Sequence, residues 1–180
     1  MIMERLYRSS FALGRYERAT AWCDRAHQKY PNDWRFVECG LTLMGYGDGR
    51  SIPPAAAWST FNVLAQLNPP AKAVAAARPY SQIYRQLTVA RMLARSGYGD
   101  SVRAMLARAR EEVRDDPDMQ ASLLYDEACI RLELHEPDSA VALLEAYIAA
   151  KPHLRNYIAH DVQFRQWRGT ARFDAISKGR

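Results

Sequence analysis

The stretch Leu13–Pro31, LGRYERATAWCDRAHQKYP, decides the fold. After a turn at Gly14, aromatic, small or apolar side chains return at intervals of three, four and three residues: Tyr16, Ala19, Cys23 and Ala26. These intervals place the four side chains on one face of a helix. Proline has no N–H and disfavours helical dihedrals in the residue before it, so Pro31 predicts where that helix ends.

The same half-motif returns along the chain. The spacing of four, three and five residues from Ala19 to Pro31 occurs twice more without a gap, and a further copy has three more residues before its proline. The copies are Ala57, Phe61, Leu64 and Pro69; Val102, Leu106, Ala109 and Pro117; and Ala140, Leu144, Tyr147 and Pro152. Such internal periodicity indicates stacked helical pairs, none of which buries its apolar face alone. We therefore predict an all-α solenoid.

The pattern resembles the tetratricopeptide repeat (TPR) family. That family has a Gly–x–aromatic turn, as at Gly14–Tyr16, and then Ala, aromatic, Ala and Pro positions, with Cys23 here at an aromatic position. The second unit requires an insertion around 49–53, and His135 stands where Gly is usual. The resemblance implies a right-handed superhelix of antiparallel helix pairs in about four repeats, at 1–32, 33–70, 79–117 and 118–152.

The helix limits follow from the prolines, glycines and acidic residues between the apolar runs. We predict helices at 2–13, 34–45, 54–67, 79–96, 101–114, 119–134 and 138–150, in addition to the one that Pro31 ends. Asp33 is the predicted N-cap of the helix at 34–45, because a carboxylate accepts a hydrogen bond from a free N–H of the first turn.

Residues 153–180 are predicted to form capping helices and a basic tail. The segment resembles a terminal signature of some bacterial repeat proteins, many of which carry a kinase, cyclase or DNA-binding domain ahead of the repeats. The matching residues are Phe164, Trp167, Arg168, Arg172 and Phe173. The resemblance implies that the chain is the C-terminal repeat region of a bacterial multidomain signalling or regulatory protein.

The net charge of +5 is concentrated at the C-terminus. Residues 1–150 hold 18 basic and 18 acidic side chains, whereas 151–180 hold seven basic against two acidic ones. Aromatic residues at core-like spacing interrupt these basic residues, which favours a solvated helix face over a nucleic-acid surface. A nucleic-acid-associated regulatory module that uses this tail remains the alternative function.

The cysteine pattern and the apolar runs predict the compartment. Cys23, Cys39 and Cys129 form no C-x-x-C pair, and an odd count without metal-ligand spacing favours reduced, buried thiols in a cytoplasmic protein. No apolar run of about 18 residues occurs, and the first ten residues lack the apolar stretch of a secretory signal. We therefore predict no membrane segment.

The sequence shows no recognisable catalytic, metal or nucleotide motif. The four histidines lie near predicted helix ends or turns without a nucleophile motif beside them. His153 and His160 are two helical turns apart, but two ligands without a nearby Cys or carboxylate pair make a poor zinc site. The glycine-rich loop 45–54 lacks the Gly-Lys-Ser/Thr ending of a phosphate-binding loop. We predict no enzyme activity, no cofactor and no metal.

The TPR resemblance implies a concave groove, lined by the first helix of each pair, that binds a peptide. The groove candidates are Arg8, Phe11, Trp34, Val37, Leu41, Tyr84, Leu87, Arg91, Arg95 and Tyr125. The arginines Arg8, Arg91 and Arg95 would hold an acidic segment or a C-terminal carboxylate by charge-assisted hydrogen bonds. The alternative is that several of these residues pack between helices, because an apolar stripe on a helix is more often buried in the core than exposed to a partner.

We therefore expect a non-catalytic scaffold or adaptor module that binds a protein or peptide partner. The alternative that uses the basic tail requires contact with phosphates, and its binding would weaken steeply with salt. Self-association is left open, since uncapped solenoid ends can pair.

Overall fold

The structure is a computed structural model that describes residues 2–47, 53–67 and 78–178. By its contacts, the chain divides into two compact units, Met1–Ser96 and Gly97–Arg180. In the described residues all regular structure is helical, which confirms the all-α prediction. A continuous superhelix through both units stays a prediction.

Unit one contains five helices in its described residues: α1 (Ile2–Ala12), α2 (Tyr16–Lys29), α3 (Trp34–Tyr46), α4 (Pro54–Leu67) and α5 (Arg78–Arg95). Helix α2 packs against both α1 and α3, and α3 also packs against α4 and α5. The predicted limits of α1, α3 and α4 are confirmed to within one residue. Asp33 is the N-cap of α3, since its carboxylate accepts a hydrogen bond of 3.1 Å from the backbone N–H of Arg35.

Unit two contains the helices α6 (Gly99–Glu112), α7 (Pro117–Glu133), α8 (Pro137–Ala150), α9 (Arg155–His160) and α10 (Ala171–Lys178). Two 3₁₀ turns, Pro152–Leu154 and Val162–Trp167, precede and follow α9. Helix α7 packs along α8, and α10 packs against α8 and α9. The terminal aromatics Phe164 and Phe173 are buried in one core with α7 and α8 residues.

The predicted apolar stripes face the cores of the two units. The first position of each half-motif has no solvent exposure: Ala19, Ala57, Val102 and Ala140. Three of these residues are alanines, whose small side chains allow neighbouring helices to approach closely. Phe61, which is half-buried, departs most from the pattern.

Three turns, at Gly14, Gly97 and His135, share one backbone conformation. Gly14, Gly97 and His135 have φ values of 67°, 83° and 60°, and each lies five residues before the first alanine or valine of its stripe. The left-handed region favours glycine, and a non-glycine residue there costs about 1–2 kcal/mol. His135 therefore adopts the left-handed conformation that glycine adopts at the other two turns.

The prediction of three reduced thiols is wrong for two of them. Cys23 of α2 and Cys39 of α3 form a disulfide, with their Cα atoms 6.0 Å apart. They lie 16 residues apart in the sequence, but the apolar faces of α2 and α3 pack together and bring the two side chains into contact. Cys129 is a buried thiol in the core of unit two, as predicted.

A buried carboxylate joins two helices of unit two. Glu127 of α7 is 1% exposed, and it accepts a hydrogen bond of 2.9 Å from Nε of Arg110 in α6. Arg131, one turn further along α7, donates two bonds of 3.0 Å to the same carboxylate. A carboxylate so deeply buried is stabilised only with such partners, because water no longer solvates its charge.

The turn conformation predicts opposite effects for two glycine substitutions. Gly97→Ala should lower the free energy of unfolding by about 1 kcal/mol, because alanine is strained at a φ of 83°. Gly40→Ala in α3 is the matched control and should raise it by about 0.5–1 kcal/mol, since an added Cβ meets nothing within 4 Å. Urea denaturation followed by circular dichroism measures both, and shifts of the same sign would contradict the assigned turn.

The Glu127 ion pairs predict a second stability difference. Glu127→Gln keeps the shape of the side chain but removes its charge, and should lower the free energy of unfolding by about 1.5–3 kcal/mol. Glu111→Gln removes an exposed partner of Arg114 and should change it by less than about 0.5 kcal/mol. Equal effects of the two substitutions on the urea midpoint would contradict a structural role for Glu127.

Candidate functional site

A cavity of about 340 Å³ opens on one face of unit one. Helix α1 supplies four of its lining residues, α3 supplies five, and α5 supplies Tyr84. Four of the side chains are aromatic and four are charged, so the cavity offers both apolar contacts and ionic groups. This mixture is typical of a site that binds part of another molecule.

The helical period brings the α1 residues to the cavity. Glu4, Tyr7, Arg8 and Phe11 follow one another at intervals of three, one and three residues, which places them on one face of α1. Tyr7 and Phe11 contact each other, with ring centroids 6.0 Å apart. The predicted groove residues Arg8 and Phe11 therefore both line the cavity.

The α3 residues reach the cavity for the same reason. Arg35, Glu38, Cys39 and Thr42 are spaced by three, one and three residues, and Phe36 lies beside them. Phe36 and Cys39 are also part of the core shared by α1, α2 and α3. The position of the cavity wall therefore depends directly on how these helices pack.

The ionic groups of the cavity form pairs across its rim. Glu4 lies 3.0 Å from Arg8 and 3.9 Å from Arg35, measured between nitrogen and oxygen atoms. Arg35 also contacts Asp33 at 2.6 Å, and its side-chain hydrogen bond holds the pKa of that carboxyl below its usual value. Arg8 is the most exposed of these groups, with 70% of its side chain accessible.

A buried arginine orients the remaining carboxylate of the cavity. Arg85 of α5 is 6% exposed, and its Nε lies 2.7 Å from the Glu38 carboxylate. Its guanidinium carbon lies 5.4 Å from the centroid of the Trp34 ring. Trp34, a predicted groove residue, thus packs beneath an arginine that the sequence analysis missed. Arg85 is one of four arginines on α5, and the sequence gave no signal that separates it from a solvated one.

Three predicted groove residues belong to the core. Val37, Leu41 and Leu87 are 8%, 1% and 1% exposed, so they present almost no surface to a partner. These three residues pack between helices, which was the alternative to a position in the groove. Their regular spacing is explained by burial of an apolar stripe.

The predicted arginine clamp on α5 is also corrected. The guanidinium carbon of Arg91 lies 4.5 Å from the centroid of the Tyr46 ring, and Arg91 is 7% exposed. Arg95 donates hydrogen bonds to the carbonyls of Met44, at 3.1 Å, and Gly45. Cationic groups are favoured at the last carbonyls of a helix, so Arg95 stabilises the end of α3. Of the three predicted arginines, only Arg8 lines the cavity.

Tyr125, the predicted groove residue of unit two, holds the terminal segment of that unit. Its hydroxyl donates a hydrogen bond of 2.7 Å to the Asp161 carboxylate, and burial raises its pKa well above the ordinary value. Asp161 also accepts a bond of 2.9 Å from the backbone N–H of Gln163. Tyr125 therefore has a structural environment between α7 and the segment that follows α9.

The basic residues of the C-terminal region contact acceptors within unit two. Arg172 pairs with Asp138, and Lys178 pairs with Asp174 at 2.6 Å. Two further arginines donate to backbone oxygens: Arg155 to Ile176, and Arg168 to Asp161. Much of the basic segment therefore forms ion pairs and hydrogen bonds within unit two.

No cluster of three or more His, Cys, Asp or Glu side chains in the described residues has a geometry that could hold a metal ion. Among the described helices, none combines the length and the apolar character that crossing a membrane requires.

The buried phenol of Tyr7 predicts a pH dependence of stability. Burial raises its pKa from 10.0 to about 12, although a hydrogen bond with Thr42 lowers it. The folded state keeps the proton where the unfolded chain loses it, so the contribution is complete below pH 10 and is lost as the pH approaches 12. Tyr7→Phe should reduce the fall in unfolding free energy between pH 10 and 12 by up to about 2.7 kcal/mol.

Urea titrations at closely spaced pH values measure this difference. Thr42→Val is the companion variant, because loss of the hydroxyl that lowers the pKa should keep or steepen the alkaline fall. An unchanged alkaline slope in Tyr7→Phe would contradict the burial of this phenol.

Comparison of the chain with protein-family models, with curated proteins and with solved structures finds no match. The cavity of unit one and its lining residues are therefore the basis for a functional assignment.

Proposed function

We propose that the chain is a non-catalytic protein-interaction module that binds a peptide segment of a partner in the unit-one cavity. This proposal rests on one observation: aromatic and charged side chains from α1, α3 and α5 line a cavity of about 340 Å³. A scaffold or adaptor role in a bacterial signalling or regulatory protein, as the TPR resemblance implies, is part of the proposal.

The accessible charge at the cavity favours an acidic partner segment. The side chains of Arg8 and Arg35 are 70% and 37% exposed, whereas those of Glu4 and Glu38 are only 20% and 23% exposed. An incoming carboxylate therefore meets the guanidinium groups first. Arginine binds carboxylates with two parallel hydrogen bonds, which gives both affinity and orientation.

The aromatic rings supply the apolar part of the proposed contact. Phe11 is half-buried, with its ring centroid 6.0 Å from that of Tyr7 and 5.6 Å from that of Tyr16. Tyr84 enters from α5, and its ring stacks on Tyr46 with centroids 5.9 Å apart. Rings held by such neighbours lose little conformational freedom on binding, which favours affinity. The proposed ligand is therefore a short segment with an apolar side chain next to an acidic one.

The alternative nucleic-acid function has less support. Several basic side chains of the C-terminal region already contact carboxylates or carbonyls of unit two, so fewer are available to phosphates. A cytoplasmic location stays a prediction, and the Cys23–Cys39 disulfide weighs against the reduced thiols on which it was based.

Peptide selection tests the proposed site. Peptides selected from a random library on the immobilised chain should be enriched in acidic residues beside apolar ones. Arg8→Glu should weaken the binding of such a peptide at least tenfold, because it places a like charge at the cavity rim. Fluorescence anisotropy with a labelled selected peptide measures the dissociation constants.

Arg18→Glu is the matched control for this experiment. Arg18 lies on the exposed surface of α2, which supplies no described residue to the cavity, so this charge reversal should change affinity less than twofold. Circular dichroism should show equal helicity in both variants. Failure to select any peptide, or equal affinities of the two variants, would overturn the proposal.

A further inference from the structure

We propose that the Cys23–Cys39 disulfide is a redox-sensitive crosslink that sets the shape of the unit-one cavity. The effect on helix packing stands independently, and only its consequence for peptide binding rests on the proposed function. The bond joins α2 to α3, which supplies half of the cavity residues.

The disulfide lies directly behind the cavity wall. Cys39 lines the cavity, and Cys23 of α2, which is not among the lining residues, is bonded to it. The two cysteines share one core with Tyr7 and Phe36, which also line the cavity. Any change in the separation of the two sulfurs is therefore transmitted to residues that a ligand would contact.

Reduction of the bond changes the packing around the two sulfurs. Bonded sulfurs are about 2.05 Å apart, whereas non-bonded heavy atoms prefer about 3.5–4.0 Å. Reduction therefore requires the sulfurs to move apart by about 1.5 Å. The neighbouring Ala19, Ala26 and Phe36 are 0%, 1% and 2% exposed, and we expect the separating sulfurs to press on these side chains and to shift α2 or α3. Close-packed cores respond to such volume changes by moving helices.

A small dithiol is the reductant that the geometry favours. Cys23 and Cys39 are 3% and 2% exposed, so a large reductant cannot reach the bond, but Cys39 forms part of an open cavity. A thiolate of the dithiol attacks Sγ of Cys39, the disulfide breaks, and Cys23 leaves as a thiolate that takes up a proton. The second thiol of the reductant then attacks the mixed disulfide, which releases the Cys39 thiol and the cyclic oxidised reductant.

The oxidised chain thus holds the cavity in one shape, and the reduced chain allows α1, α2 and α3 to separate. Because binding to a flexible site includes the entropic cost of ordering it, the reduced chain should bind a cavity ligand more weakly. The redox state of one buried bond would then regulate the interaction that the cavity makes.

The first experiment establishes the bond itself. The purified full chain is alkylated under denaturing, non-reducing conditions, digested and analysed by mass spectrometry. We expect the peptides that contain Cys23 and Cys39 to be linked and Cys129 to be alkylated. Quantitative alkylation of all three cysteines after treatment with an oxidant would overturn the proposal.

The second experiment measures the packing of the helices in both redox states. Hydrogen–deuterium exchange with and without dithiothreitol should show at least threefold faster exchange in α1 and α3 of the reduced chain. Helices α7 and α8 are the internal reference and should be unchanged. The double variant Cys23→Ala/Cys39→Ala should not respond to the reductant, whereas Cys129→Ala should respond like the parent chain.

Binding distinguishes a failure of this inference from a failure of the proposed function. A peptide selected on the oxidised chain should bind the reduced chain at least fivefold more weakly, with no such difference in the double variant. If no peptide is selected but exchange still responds to dithiothreitol, the proposed function fails and the crosslink stands. If a peptide binds both redox states equally, or if exchange in α1 and α3 is insensitive to reduction, the inference is overturned.

Discussion

Small side chains between paired helices set the spacing on which each unit depends. Ala19, Ala57 and Ala140 have no solvent exposure, and each lies on the face that its helix buries. A larger side chain there would push the helices apart, and the surrounding core would lose contacts that individually are weak but together dominate stability. In unit one the disulfide strengthens this constraint, because it fixes α2 to α3 within the same small core.

The sequence predicted the helices well because their limits depend on local chemistry. Pro31, Asp33 and Gly97 act through dihedral preferences and capping bonds that involve only a few neighbouring residues. The disulfide could not be predicted in the same way. Its formation depends on which faces of α2 and α3 meet, and a separation of 16 residues between cysteines carries no such information. The sequence therefore contained the helices but not the three-dimensional pairing of their side chains.

The candidate site was predicted only in part, for a related reason. Periodicity places a residue on a helix face, but it does not tell whether that face meets solvent or another helix. Leu41 and Leu87 lie on predicted groove faces, as Arg8 and Phe11 do, and yet they are buried in the core. For arginines the ambiguity is greater, because a long apolar stem can be buried while the guanidinium finds an aromatic ring or a carbonyl. The burial of a side chain and the residues that it contacts distinguish a groove residue from a core residue, and only the fold determines them.

Buried and exposed ion pairs have different consequences for the protein. In unit two, the Glu127 carboxylate is buried and paired with both Arg110 and Arg131, and removal of both arginines would leave its charge unpaired in a site of low polarity. In unit one, the side chain of Arg8 is 70% exposed beside the cavity, so water screens its pair with Glu4, whereas two hydrogen bonds hold Arg35 to Asp33. Weak ion pairs are thus suited to recognition, whereas buried ones are suited to holding the fold.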